Sequence, residues 1–328
     1  MLFLRLNENP NPEHFDHLPM GDTIRAMNAE PPVFDHIIVG AGTAGCLLAN
    51  RLTEDPNVRV LVLEAGRKDD YLWIHVPVGY LYCIGNPRTD WLYQTEPDPG
   101  LNGRALRYPR GRVLGGCSSI NGMIYMRGQR RDYDHWADVT GDASWTWDNC
   151  LPQFLAHEDH WKGDSEFHAS PGHDPNGKRR GGEWRVERQR LHWDVLDAFA
   201  QAAQEAGIPA TEDFNRGTNE GVGYFEVNQR EGWRWNTARG FLKPAAHRPN
   251  LEIWTGAEVE RVLFDDDPQH PGRPRASGVR IRKVDHGGFI EVQARREVLL
   301  CGGAVGTPVL LQRSGIGPGA LLQQHGVP

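Results

Sequence analysis

The sequence predicts an α/β fold, and three observations point to it. An apolar strand over residues 34–39 runs through a glycine-rich turn into a helix over 44–53, and a second apolar strand follows at 58–63. That order is a βαβ unit, which forces the two strands to lie parallel. Four more β-rich runs occur after residue 250, so the chain returns to a sheet late. The length of 328 residues, with 39% hydrophobic and 24% charged residues, is enough for a large core or for two domains.

In chain order, residues 1–32 read as an N-terminal extension, rich in Asn, Pro, Glu and His and closed by Pro31-Pro32. Residues 66–110 read as irregular cover full of Gly, Pro and aromatics. There Tyr80, Tyr82 and Trp91 serve either packing or substrate contact. Residues 119–127 read as helical. A helix is expected over 145–158, carrying Leu151, Phe154 and Leu155, then a polar loop over 162–182 and an amphipathic helix over 192–206. A strand is expected at 222–228 and a short helix at 236–246 with Asn236 or Thr237 as its cap. Strands follow at 251–254, 258–264, 278–284 and 289–300, the last three as a meander returning to the main sheet, with a surface loop at 265–276.

Bulk properties exclude several classes. The formal net charge of −7 argues against a nucleic-acid partner, and Lys178-Arg179-Arg180 and Arg295-Arg296 read as surface charge. The five cysteines (Cys46, Cys83, Cys117, Cys150 and Cys301) are dispersed with no CxxC, so a reducing, cytoplasmic setting is expected. The N-terminus lacks a signal-peptide core, and no membrane-spanning segment is expected. No GxSxG, HExxH or Walker sequence occurs. His157, His160 and His168 lie among Glu158, Asp159 and Asp164. That set suits zinc or iron, but its loop-like setting reads as surface polarity, so no metal ligand is assigned.

The chemistry-bearing motif is Gly40-Ala41-Gly42-Thr43-Ala44-Gly45, a GxGxxG between a strand and a helix. Gly40 permits the tight turn, Gly42 lets a pyrophosphate approach the backbone, and Gly45 allows close helix–strand packing. The helix start at Thr43 and Ala44 offers N–H groups to phosphate. Glu64 ends the second strand, where its carboxylate can take hydrogen bonds from a ribose diol, which favours FAD or NAD over NADP.

With Glu64-Ala65-Gly66 in place, the chain resembles the glucose-methanol-choline flavoprotein oxidoreductases, and within them the choline-dehydrogenase-like alcohol dehydrogenases. Residues 111–128, GRVLGGCSSINGMIYMRG, are similar to that family's first signature, and residues 303–317, GAVGTPVLLQRSGIG, to its second. Residues 236–253 are also family-like, and the resemblance covers roughly residues 34–328. It implies a Rossmann-like FAD-binding domain with a partial α+β substrate domain. The boundaries expected are 33–145 and 190–328 for the FAD domain, with part of the substrate sheet near 220–230, and 146–189 for a partial substrate or cap region. It implies FAD contacts from Ala65, Arg112, Gly115, Gly116, Ser118, Asn121, Gly122, Met123 and Ile124, and from the Val259 backbone to adenine. Gly302-Gly303 is expected beside the first strand, with Pro308 starting a helix.

Some family members hold FAD covalently through a histidine. The matching position here is Ile120, so dissociable FAD is expected. The implied activity is oxidation of a small-molecule primary alcohol, choline-like, by hydride transfer to flavin, with a quinone or oxygen as electron acceptor. The family's base, a histidine, lies well beyond the second signature, so no catalytic residue is assigned. The competing expectation is an FAD-binding fragment or subunit completed by a missing C-terminal half or by another chain.

Overall fold

The computed structural model describes residues 31–173, 179–180, 182–267, 270–283 and 288–327. Residues 1–30 of the N-terminal extension, Lys178 and part of the polar loop lie outside the described residues. Strand β1 (Val33–Val39) leads through the glycine turn into helix α1 (Thr43–Leu52) and strand β2 (Val60–Glu64). A long excursion follows, with helices α2 (Arg130–Thr140), α3 (Trp147–His157) and α4 (Asp194–Glu205). The chain then returns as β3 (Leu251–Thr255), β4 (Ala257–Asp266), β5 (Pro274–Lys283) and β6 (Phe289–Leu300). Helices α5 (Gly303–Arg313) and α6 (Gly319–Gln324) close it.

The six strands form one sheet in the order β3-β2-β1-β6-β5-β4. The first four are mutually parallel, and β4, β5 and the start of β6 form the expected antiparallel meander. Strand β6 changes partner along its length: residues up to Gln293 pair with β5, and residues from Gln293 to Leu300 pair with β1.

Period-two alternation divides the core. Ile38, Val60 and Val62 face α1 and the turn carrying Phe241 and Leu242. Ile37, Val39, Leu61 and Leu63 face Val262, Val279, Ile281 and Leu310. Phe34 joins the second group although its parity is that of Ile38, because the register slips between Phe34 and His36. Two buried asparagines tie the excursion back to the sheet. Asn50 Nδ2 donates to the Phe241 carbonyl at 2.8 Å, and Asn250 Nδ2 donates to the carbonyls of Thr53, Asp55 and Val58, which fixes β3 beside β2.

Several local expectations are corrected. Residues 119–127 are not a helix: a 3-10 turn over Gly116–Ser119 gives way to the strand Ile124–Tyr125, with Met123 at φ +64° between them. The strand expected at 222–228 is reduced to Glu226–Val227, paired with Ile124–Tyr125, with Val222 in a single bridge to Ala210. The helix at 236–246 is a π turn (Ala238–Leu242) followed by Lys243–Ala245. The cover over 66–110 contains short helices at Leu72–His75 and Tyr80–Cys83 and a hairpin of Tyr93–Gln94 with Arg107–Tyr108. Strands β4 and β5 run into the expected 265–276 loop from both sides. Pro308 lies inside α5, which starts at Gly303.

Candidate dinucleotide site

The carboxyl ends of β1, β2 and β6 and the N-terminus of α1 converge on the glycine loop. This is the edge of an open parallel sheet at which nucleotides are held. Gly40 adopts φ +100°, and a Cβ there would stand 2.6 Å from the Cys301 carbonyl oxygen at the end of β6. A Cβ on Gly45 would stand 2.0 Å from the Gly40 carbonyl oxygen, so only glycine lets α1 seat on β1. Gly42 differs: a Cβ there meets only the Cys301 oxygen, at 3.9 Å. The protein's own packing does not demand a glycine at 42, whereas a ligand approaching the backbone does. Thr43 and Ala44 are exposed at the start of α1, which has no side-chain cap. Those N–H groups suit a phosphate.

Glu64 is buried, its Oε2 accepting from the Ala41 N–H at 3.0 Å and its Oε1 from the Gly66 N–H at 2.8 Å. Burial pushes its carboxyl up to about 7, against the opposing pull of those N–H groups and Arg112. Each oxygen keeps a further lone pair, so the ribose contact expected of Glu64 is compatible with its structural one. Burial also pushes the Cys46 thiol up to about 12, so this cysteine is part of the helix packing rather than a nucleophile.

The residues of the first signature assemble on the same loop. The Gly115 N–H donates to the Ala41 carbonyl at 2.8 Å, and a Cβ on Gly116 would stand 2.8 Å from Gly42 Cα. Gly66 packs against the Arg112 carbonyl, where a Cβ would stand 2.0 Å away. The Arg112 guanidinium lies 4.7 Å from the Trp91 ring centre, and its buried Nε has no partner among the described residues. A donor so placed beside Glu64 fits an anionic or hydroxyl-bearing ligand. Gly256 N–H donates to the Gly66 carbonyl at 2.8 Å, which brings the start of β4 beside Ala65. Val259 lies just beyond, where the β4–β5 register slips between Val259 and Arg261. Such a slip leaves one residue outside the ladder.

Ser118 Oγ donates to the Gly115 carbonyl at 2.6 Å. Asn121, Gly122 and Ile124 are exposed, and nothing stands within 4 Å of a Cβ on Gly122. Asn121 Oδ1 accepts from the Met123 N–H at 3.0 Å, which holds Met123 in its left-handed conformation. Ile120 is buried with Ile74, Cys83 and Val113.

The sequence did not reveal what holds this signature from below. Asn236 Nδ2 donates to Ser119 Oγ at 2.8 Å and to Asp69 Oδ2 at 3.1 Å, and the Thr237 N–H donates to Ser118 Oγ at 3.0 Å. Asn236 does cap, accepting from the Arg239 N–H at 2.9 Å. The available signal was the run from residue 236, whose polar start reads as a cap alone.

The histidine cluster is corrected from surface polarity to a buried network. Glu158 is 0% exposed, and its Oε1 accepts from Arg127 Nη2 and the Tyr125 hydroxyl, each at 2.7 Å. His168 bridges Glu158 at 3.2 Å and Asp213 at 3.0 Å, and His160 lies 2.9 Å from Glu226. Burial lowers a histidine's affinity for its proton, but the bonds to Asp213 and Glu158 outweigh it and raise His168 to about 9. Burial likewise opposes ionisation of Glu158, yet His168 and Arg127 bring it down to about 2. His160, His168 and Glu226 stand within 4.8 Å of one another. The two rings, however, stack at 3.7 Å with planes 13° apart. Imidazole lone pairs lie in the ring plane, so stacked rings cannot both address one ion, and the cluster serves as an ionic clamp.

A family model described as GMC oxidoreductase matches residues 34–326. An oxygen-dependent choline dehydrogenase of Yersinia pseudotuberculosis serotype O:1b is 42% identical over 299 residues, covering 90% of this chain and 50% of that protein. The crystal structure of pyridoxine 4-oxidase from Mesorbium loti superposes with a TM-score of 0.81 at 36% identity, covering 90% of this chain and 54% of that one. An FAD-dependent oxidoreductase from Chaetomium thermophilum gives a TM-score of 0.77 at 32% identity, covering 90% and 50%. The chain spans about half the length of the curated relatives it matches.

Proposed function

Because the chain belongs to the GMC oxidoreductase family, we propose that it is the FAD-holding part of an enzyme that oxidises a primary alcohol, choline-like in the first instance. One observation carries the proposal: Gly116 of the signature packs on Gly42 of the glycine loop, so two motifs far apart in sequence form one cradle. In this proposal α1 and Gly42 receive the pyrophosphate, Glu64 orients the adenosine ribose, Val259 offers backbone to adenine, and Ser118 to Ile124 line the ring. Bound FAD supplies the acceptor for the hydride leaving the alcohol carbon, and a quinone or oxygen takes the electrons onward. The protein's own work is to bind the pyrophosphate, fix the ring and exclude water from it.

The expected domain division is proposed on the same basis, with residues 146–189 as part of the cap. Helix α4 supports a partner polypeptide, either the other half of the family fold or a separate chain. Its Val195, Leu196 and Phe199 are 65%, 47% and 67% exposed, and Trp193 and Leu191 extend the same apolar surface. That surface favours the second reading, a subunit that binds FAD but turns over only when complemented. No helix among the described residues is long and apolar enough to cross a membrane. The five free thiols support a cytoplasmic site.

The test is anaerobic titration of the FAD-loaded chain with choline and simple primary alcohols. Bleaching of the flavin band supports turnover by this chain, bound but unbleached FAD supports the subunit, and failure to bind FAD refutes both.

A further inference from the structure

Arg234 is 0% exposed. A buried guanidinium ordinarily faces a carboxylate, because taking a full charge out of water costs several kcal/mol unless it is paired. Arg234 has no such partner among the described residues. Its Nε donates to the Ile74 carbonyl at 2.7 Å, and its Nη1 to the Ser118 carbonyl at 3.1 Å and to Asn121 Oδ1 at 2.8 Å. Its Nη2 donates to the Asn121 carbonyl at 2.7 Å. All four acceptors are neutral. Burial pulls the group down to about 10, so it keeps its charge at neutral pH.

The three segments it joins are the Leu72–His75 helix, the Gly116–Ser119 turn and the exposed Asn121 in the middle of the signature. Asn236 and Thr237, two and three residues on, hold Ser119 and Ser118 in the same way. Residues 234–237 are therefore a floor beneath Ser118–Asn121. A fixed cation under that turn has an electrostatic consequence: in a low-dielectric interior it favours whichever state of a neighbouring ligand carries more negative charge.

We propose that Arg234 is a positioning residue for the flavin, its fork fixing the Ser118–Asn121 turn against the ring and its unpaired buried charge stabilising the electron-rich reduced cofactor. This rests on the proposed FAD-holding role of that turn. A lysine keeps the charge but cannot span Ile74, Ser118 and Asn121 with one ammonium, whereas a methionine keeps the volume and removes both functions.

The experiment compares the unaltered chain with Arg234→Met and Arg234→Lys, reading FAD affinity by flavin fluorescence and the midpoint potential of the bound flavin by dye equilibration. Arg234→Met is expected to weaken FAD binding roughly tenfold or more, the equivalent of one charge-assisted hydrogen bond, and to make the potential more negative. Arg234→Lys is expected to weaken binding while keeping the potential near that of the unaltered chain. A merely structural arginine would leave the potential of the FAD-bound fraction unmoved, so an unchanged potential in Arg234→Met overturns the proposal. If Arg234→Met does not fold, the lysine variant decides: unaltered affinity overturns the fork, and a potential as far displaced as the affinity overturns the charge. Failure of the unaltered chain to bind FAD overturns the function proposed above, and this role with it. Equal binding and potential in the unaltered and Met chains overturn Arg234 alone.

Discussion

Glu64→Gln is the most informative single change, because Glu64 serves the fold and the proposed ligand by different bonds. In the protein alone its two oxygens accept from Ala41 and Gly66 N–H groups. Glutamine can satisfy only one and turns its amide donors toward the other, at a cost of about 1–3 kcal/mol. The carboxyl also carries a pH signature. Its folded value of about 7 lies above the ordinary 4.5, so the folded chain holds the proton more tightly than the unfolded one. The group's contribution to stability is therefore full below pH 4.5 and lost as pH rises through about 7, by about 3 kcal/mol in all. Urea midpoints of the ligand-free protein should fall over that interval, and in Glu64→Gln this component should vanish. Ribose hydroxyls donate best to the ionised carboxylate, so FAD binding should release a proton and tighten as pH rises toward 7. The variant should bind FAD roughly ten- to a hundredfold more weakly at pH 8, with no such pH slope. Fluorescence titration from pH 5 to 8 is the assay. Unchanged affinity at pH 8, or tighter binding by the native chain on acidification, would refute the ribose assignment.

Gly42→Ala and Gly45→Ala should separate ligand contact from packing. The first should keep the native melting temperature but lose at least roughly tenfold in FAD affinity, whereas the second should unfold at markedly lower temperature, since its Cβ falls 2.0 Å from the Gly40 oxygen. A stable, FAD-binding Gly45→Ala chain would contradict the helix–strand contact. Glu158→Gln should destabilise by about 3–5 kcal/mol through the Arg127 charge left buried, checked by urea unfolding at pH 6. The same network gives a pH window. Glu158, depressed to about 2, contributes above pH 4.5 and loses that contribution as pH falls toward 2. His168, raised to about 9, contributes fully below pH 6.5 and loses that contribution as pH rises through about 9. A native unfolding profile with no loss above pH 6.5 relative to Glu158→Gln would count against the His168 bridge. Acid precipitation should leave the flavin in the supernatant, because Ile120 offers no atom for attachment; flavin retained in the pellet would disprove this.

Strands β1 and β2 were legible because each carries a continuous apolar run, Ile37–Val39 and Val60–Leu63. Residues in β1 and β2 that are buried on both faces show no polar alternation to confuse with a helix. The segment 119–127 misleads for the opposite reason. Ile120, Met123 and Ile124 have helical spacing, but Asn121 bends back to the Met123 N–H and Met123 turns left-handed. A side chain competing with the backbone leaves little trace in periodicity. The histidine cluster misled because its burial depends on residues far off in sequence. Arg127, Asp213 and Glu226 supply the partners, and none of them lies in the run from His157 to His168. Pro308 fits a helix start by rule, yet α5 begins at Gly303, and the proline occupies an exposed turn within it.

The glycines of the cradle go one step further, because their meaning is relational. Gly40, Gly42 and Gly45 announce a nucleotide turn from their spacing between a strand and a helix, and Gly115-Gly116 announce a close approach of backbone to a ligand without saying which part of the protein they pack on. In space Gly116 stands on Gly42, Gly115 bonds to Ala41, and Glu64 bonds to Ala41 from the other side. Ala41 is thus the common point: its N–H is held by the end of β2 and its carbonyl by the signature. A displacement of the signature is therefore passed to the glycine loop through the Ala41 carbonyl, and a loosening of Glu64 reaches the same residue through its N–H. The two motifs pack as one unit, so on the proposed function FAD affinity should respond in the same direction to changes at Glu64 and at Arg234.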